Sequence, residues 1–228
     1  MSGLIGVIGN DSARYSLFWA CMDDLQLPAG WKKRKLIGGD WCGARNTLVQ
    51  ETLAGDYSHL WFMDDDHAFA PNILLRLLEH DLPLVLPACL TRSAPFSPVT
   101  FTERLDDDEQ GNARYLPLYL PEQDPTALVE IQAGGTAGML IAREVLEAME
   151  PPWFEYGFAS EDILFCQKAK ELGFTIMCDL SIRLGHIVVG VVEPAYYDNQ
   201  WTVGVSLGST GQMTQVLLPI EPRELVAA

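Results

Sequence analysis

Apolar runs and helical patterns alternate along the N-terminal half of the chain. Leu4–Ile8 is a short uninterrupted apolar run opening into Gly9, Asn10, Asp11 and Ser12, the pattern of a buried strand followed by a helix start. A helical stretch covers Tyr15–Leu25 and is stopped by Pro28 and Gly30. Lys35, Leu36 and Ile37 read as a second strand before the turn Gly38, Gly39, Asp40, and Ala44–Ala54 as a second helix capped by Gly55. Leu60, Trp61, Phe62 and Met63 lack polar alternation, as a strand does when helices cover both of its faces. This order predicts parallel strands with right-handed crossovers. Its third strand runs straight into Asp64, Asp65, Asp66 and His67.

Downstream the pattern predicts a helix over Pro71–Glu79 and a strand over Leu82–Leu86 ended by Pro87. Residues 91–132 have a different texture, rich in proline with short β-like pieces at Val99–Phe101 and Tyr115–Leu120, and read as an insertion. Its acidic run Asp106–Glu109, followed by Gly111, reads as a solvated hairpin tip. Gly134–Gly138 leads into a strand at Met139–Ala142, and a short helix over Arg143–Met149 is stopped by Pro151 and Pro152. Ser160 is a fitting N-cap for a helix with Glu161 and Asp162 in its first turn and Gly173 at its end. Thr175–Cys178 and Ile182–Gly185 are further strand pieces, the second leading to His186, and the alternating tail 188–228 predicts hairpins. The whole, residues 1–228, is expected to form a single domain.

Side chains alternate along a strand, so Asp64 and Asp66 are expected on one side and Asp65 and His67 on the other. Carboxylates converging at a strand's carboxyl end, where open α/β sheets bind ligands, are costly to bury unpaired, and a divalent cation resolves the conflict. The competing reading is an acidic turn favoured by the dipole of a following helix, with Pro71 at its first position and His67 as a helix-start residue.

Composition narrows the partners. A net charge of -16 argues against a surface that holds polyanions broadly, leaving one local basic face from Lys32–Lys35, Arg92, Arg104 and Arg114 as the exception. The five cysteines are scattered without a C-x-x-C pair, which suggests neither a disulfide framework nor a zinc knuckle and fits a reducing cytoplasm. No apolar run approaches the roughly 18 residues of a membrane span.

Four pieces in order resemble the nucleotide-sugar glycosyltransferases of the single-domain GT-A fold, particularly the small family-2-like enzymes of bacteria and phages. They are Ala44-Arg45-Asn46, the D-x-D within Asp64-Asp65-Asp66, Ser160-Glu161-Asp162 after an aromatic segment, and Gly185-His186, within Leu4–His186. The resemblance implies an α/β Rossmann-like domain with a mostly parallel central sheet, 91–132 on the acceptor side and 188–228 as a β tail. It implies a metal-dependent, non-processive transfer from a UDP or GDP sugar to an acceptor hydroxyl, with inversion favoured over retention. Asp64, Asp66 and His186 map onto the ligands of Mn²⁺ or Mg²⁺. Asn10, Asp40, Arg45 and Asp65 map onto the donor side, Asp162 onto the base with Glu161 beside it, and Gly135, Trp153 and Tyr156 onto the acceptor side. Asp65 and His67 form a rival D-x-H frame. The acceptor stays open among glycans, lipid-linked intermediates, small molecules and modified nucleic-acid bases. There is no Q-x-x-R-W motif, which disfavours processive synthesis. A nucleotidyltransferase on a similar sheet, or a non-catalytic nucleotide- or sugar-binding module, are the rival functions.

Overall fold

The computed structural model describes residues 1–9, 15–38, 40–92, 96–109, 111, 113–209 and 212–219. In chain order these form β1 (Gly3–Gly9), α1 (Ser16–Asp24), β2 (Trp31–Ile37), α2 (Trp41–Ala54), β3 (His59–Asp64), β4 (His67–Ala68), α3 (Ile73–Leu78) and β5 (Leu84–Cys89). There follow β6 (Thr100–Leu105), β7 (Arg114–Pro117), β8 (Leu128–Ile131), β9 (Ala133–Gly134), β10 (Leu140–Ala142), α4 (Arg143–Ala148), α5 (Glu161–Glu171) and β11 (Ile176–His186). The last are β12 (Val189–Tyr197), β13 (Gln200–Ser209) and β14 (Gln212–Pro219). The described chain falls into two compact units, one of Met1–Leu90 with Ser97–His186, the other from the segments Thr91–Phe96 and Ile187–Ala228.

The first unit is built on an eight-stranded sheet of order β2-β1-β3-β10-β5-β11-β4, with β8 also paired to β11. β1 is parallel to β2 and β3, and β5 is parallel to β11, whereas β10 runs antiparallel to both its neighbours. The expected mixed α/β fold with a mostly parallel centre is therefore present. Hydrophobic pattern explains the order: β1 is buried along its whole length and sits inside, while β2 exposes Lys32, Lys33 and Arg34 and forms an edge. Charges on an edge strand discourage pairing with other chains. Beneath the sheet, Phe154 stacks on Phe165 at 4.6 Å between centroids and meets Phe62 edge-on at 5.4 Å, beside buried Leu48, Val49 and Ile141. Arg143 donates to the carbonyls of Thr52, Leu53, Gly55 and Tyr57, closing the C-terminal end of α2.

Several boundaries differ from expectation, each for a local reason. β2 begins at Trp31, four residues before Lys35, because the buried Trp31 anchors it while the lysines face outward. β5 does not end at Pro87 but continues to Cys89, and the missing N–H is absorbed opposite it, where the register of β11 shifts between Asp179 and Arg183. The two pieces predicted around that irregularity are one strand, β11. The helix expected from Pro71 starts at Ile73, because a turn and the short β4 follow the aspartates. The acidic run lies between β6 and β7, as the hairpin reading requires, and the tail forms a three-stranded antiparallel sheet, β12-β13-β14.

Candidate active site

β3 stops at Asp64, so strand alternation stops there too and Asp65 and Asp66 lie in a turn. The three carboxylates therefore take three directions. Asp65 is buried; its amide donates to the Ile8 carbonyl at 3.1 Å and its carboxylate packs on the end of β1. A Cβ at Gly9 would stand 2.3 Å from Asp65 Oδ2, so a side chain there would displace the Asp65 carboxylate. Asp64 Oδ1 lies 3.7 Å from Arg45 Nη2. Burial pushes the Asp64 carboxyl above the usual carboxylate range, and Arg45 partly opposes it. Asp66 turns to the histidines, with Oδ1 2.9 Å from His67 Nδ1 and Oδ2 4.0 Å from His186 Nε2.

Arg45, expected to reach a donor, is instead 4% exposed on α2. Its Nε donates to Thr136 Oγ1 at 2.9 Å, its Nη1 is 3.0 Å from Glu161 Oε1, and its guanidinium carbon lies 5.9 Å from the centre of the Phe154 ring. It ties the end of β3 to the start of α5. An unpaired buried arginine is costly, so the two acids and the hydroxyl hold it as firmly as it holds them.

On the other side of the acidic turn, three residues distant in sequence meet. β11 lies between β5 and β4; His186 pairs directly with His67, and Leu184, two residues earlier, pairs with Cys89. The His67 and His186 rings are 4.1 Å apart, and Cys89 Sγ is 3.7 Å from His186 Nδ1. His67 is not a helix-start residue: it sits in β4, 1% exposed, and its Nε2 has no hydrogen-bond partner. Burial would lower the His67 pKa, but the Asp66 carboxylate and Cys89 sulfur beside it outweigh that and hold it at about 10. Burial would raise the Cys89 thiol, yet the imidazoles of His186 and His67 bring it down to about 7.

The start of α5 supplies the remaining acids. Ser160 occupies the N-cap position, but its hydroxyl donates to Asp162 Oδ1, which also accepts from the Ile163 amide at 2.8 Å. Asp162 Oδ2 is turned towards Gly135, where a Cβ would lie 3.7 Å away. A side chain would fit there; the tight positions of this glycine segment are Gly134, 2.7 Å from Leu86 Cδ1 by the same measure, and Gly138, whose φ is +78°. Asp40 caps α2, accepting from the amides of Cys42 at 3.2 Å and Gly43 at 2.9 Å, and also accepts from the Tyr156 hydroxyl at 2.6 Å. That bond lowers the Asp40 pKa and pushes Tyr156 up to about 12. Tyr156 is exposed, as a sugar platform must be, whereas Trp153 is not available for that role. It is 7% exposed, donates from Nε1 to the Leu146 carbonyl at 2.8 Å and belongs to the core. Asn10 lies outside the described residues.

Sequence reasoning passed over two residues of this site. His67 was visible in the D-x-H frame but carried no sign of burial. Cys89 gave no signal, since only the strand order brings the end of β5 beside His186.

No family model matches the sequence, and no curated protein matches it. Solved structures do. A197 from STIV superposes with a TM-score of 0.56 at 15% identity, covering 100% of this chain and 99% of that one. GalNAc-T7 with UDP, GalNAc and Mn²⁺ gives a TM-score of 0.57 at 12% identity over 82% of this chain, which spans 43% of that protein's length. S. aureus TarS in complex with UDP-GlcNAc gives 0.50 at 13% identity over 82% of this chain and 58% of that one. Together with the sheet order and the acidic turn at the end of β3, these likenesses show that the chain has the GT-A glycosyltransferase fold.

Proposed function

We propose that this chain is a glycosyltransferase that moves a sugar from a nucleotide diphosphate sugar to an acceptor hydroxyl with the help of a divalent cation. The observation that carries the reading is the convergence of the acidic turn Asp64–Asp66 with His186 and with Glu161 of α5, the latter through Arg45, at the carboxyl end of a central strand. Structures of this fold hold UDP with Mn²⁺ in GalNAc-T7 and UDP-GlcNAc in TarS, which supports a UDP sugar, with GDP as the other candidate base.

The residues fit a cation. His67 Nε2 is a buried polar atom with no hydrogen-bond partner; Asp66 lies against Nδ1 of the same ring and reaches towards His186 Nε2, and the two rings are 4.1 Å apart. Bound there, a divalent ion, Mn²⁺ or Mg²⁺ by the family resemblance, supplies Lewis acidity that stabilises the charge growing on the departing diphosphate. Asp66 and His186 would hold it, and Asp64, kept in place by Arg45, would complete the set. Asp65 and Asp40 line the donor side in this reading, with Arg45 acting on it by orienting Asp64. Asp162 takes the proton from the acceptor hydroxyl as that oxygen attacks the sugar. Its Oδ1 is already fixed by Ser160 and Ile163, which aims Oδ2 past Gly135 towards the acceptor side. Such a base implies inversion at the anomeric carbon. Glu161 orients through Arg45, and Tyr156 offers the acceptor a ring.

The test is a panel of UDP and GDP sugars with added divalent ions, read by mass spectrometry for transferred or hydrolysed sugar. Release of nucleoside diphosphate above an Asp66→Ala control is expected. Release of pyrophosphate instead would make the protein a nucleotidyltransferase, and nucleotide binding without turnover on any donor would make it a binding module.

A further inference from the structure

Beside the carboxylates of the acidic turn, this site also gathers nitrogen and sulfur donors. One ligand atom each from His67, Cys89 and His186 lies within 4.8 Å of the others, and these are the residues among those described that group in this way. We propose that Cys89 is a ligand of the site's cation together with His67 and His186, so that the chain takes a borderline-soft divalent ion of the Zn²⁺ class where GalNAc-T7, of the same fold, holds Mn²⁺. The inference rests on the cation site of the glycosyltransferase reading and changes its chemistry.

Three observations carry it. First, both imidazoles are oriented as metal ligands are. His67 Nδ1 stands 2.9 Å from Asp66 Oδ1, which makes Nδ1 the donor and leaves Nε2, buried and without a hydrogen-bond partner, as the nitrogen a cation would take in place of a proton. His186 Nδ1 lies 2.5 Å from the Leu90 carbonyl oxygen, an acceptor only, so its Nε2 likewise carries the lone pair. A carboxylate on one histidine and a backbone carbonyl on the other are the partners that fix tautomer and ring angle in metal sites. Second, the backbone holds the three residues together: His67 is opposite His186 across β4 and β11, and Cys89 is opposite Leu184 across β5 and β11. One ligand atom of each lies within 4.8 Å of the others, the Cys89–His186 approach of 3.7 Å being at Nδ1, so side-chain rotation must bring Sγ and Nε2 to the roughly 3.3–3.7 Å separations implied by Zn–N and Zn–S bonds in a tetrahedron. Third, sulfur decides selectivity. A thiolate with imidazoles favours Zn²⁺ over Mg²⁺ and Mn²⁺, which prefer carboxylate, carbonyl and water. Three protein ligands leave one position for water or a donor oxygen, as a catalytic site requires.

The full-length chain, stripped of metal and reconstituted with Co²⁺, tests this without any donor. A thiolate-to-cobalt charge-transfer band in the near ultraviolet is expected, lost in Cys89→Ser. Zn²⁺ affinity, measured against a chromophoric chelator, should fall in that variant by more than the ~10–100-fold that losing an outer partner costs. Cys89→Asp should move the preference towards Mn²⁺. A Co²⁺ complex without the band, or a Cys89→Ser variant with unchanged spectrum and Zn²⁺ affinity, overturns the proposal. Should the variants not fold, alkylation of Cys89 in the native chain gives the answer: blocked by Zn²⁺ it supports the thiolate ligand, and unaltered by Zn²⁺ it overturns it. No transfer from any nucleotide sugar in a chain that shows the band would remove the glycosyltransferase reading alone. Transfer with Mn²⁺ in a chain without the band would remove the thiolate alone.

Discussion

The chain carries three consecutive aspartates twice, at Asp64–Asp66 and at Asp106–Asp108, and the two runs have opposite surroundings. The first ends a central strand: Asp65 is 7% exposed, Asp64 faces a buried arginine and Asp66 faces a buried histidine. The second lies in the connection between β6 and β7, where Asp107 pairs with Arg104 at 2.6 Å and both side chains remain more than a third exposed. Water screens the second run, whereas the first is held by specific buried partners. A run of acids becomes a site through its position in the sheet.

Mutations at the two runs should break apart by orders of magnitude. Asp66→Asn removes the acceptor that orients His67 and the carboxylate beside His186; metal-dependent turnover should fall at least ~100-fold in a donor-release assay. Turnover within a few-fold of the parent would place Asp66 on a par with the hairpin acids. Arg45→Met leaves Asp64 and Glu161 without their buried partner and should cost about 3–5 kcal/mol in denaturant unfolding. A loss below about 1 kcal/mol would mean that water reaches these carboxylates as freely as it does those of the hairpin.

A third acid calibrates the middle of the scale. Asp179 on β11 accepts from Ser181 Oγ at 2.5 Å and the Ser181 amide at 2.8 Å, and its Oδ2 is 2.8 Å from His80 Nε2. Burial alone would raise its pKa, but the bonds from Ser181 and His80 hold it below the usual value. A depressed folded pKa contributes stability that is present above the unfolded value of about 3.9 and lost as pH falls through the folded value. Asp179→Asn should therefore cost about 1–3 kcal/mol at neutral pH and flatten the acid limb of the stability curve. An acid limb identical to the parent's would show that Asp179 titrates normally. At the small end, Asp107→Asn should change stability by about 0–1 kcal/mol and leave donor turnover intact. A loss of turnover there equal to that of Asp66→Asn would erase the contrast between the runs.

Much of the framework was legible because it follows from local pattern. The uninterrupted run Leu60–Met63 implied a strand covered on both faces, and the order of elements before it implied parallel pairing. Asp106–Glu109 announced a solvated turn. The site was legible only as far as it lies at element ends: Asp64, Asp66, Glu161, Asp162 and His186 each close a strand, follow one, or open a helix. The prediction that Asp64 and Asp66 share a face failed because pleating ends where the strand does. The mapping of Trp153 onto the acceptor side fails because an aromatic residue looks the same in sequence whether it is in the core or at the surface.

By itself the sequence determined the class of sheet, the location of the acidic turn and the helix that faces it, since hydrophobic period, glycine, proline and capping residues act over a few positions. Tertiary structure alone decided which side chains share an environment. Inserting β11 between β5 and β4 put His67, Cys89 and His186 together, and folding α2 beneath the sheet buried Arg45 between Asp64 and Glu161. Contacts of that kind depend on strand order and register, and residues far apart in the chain carry no local mark of them.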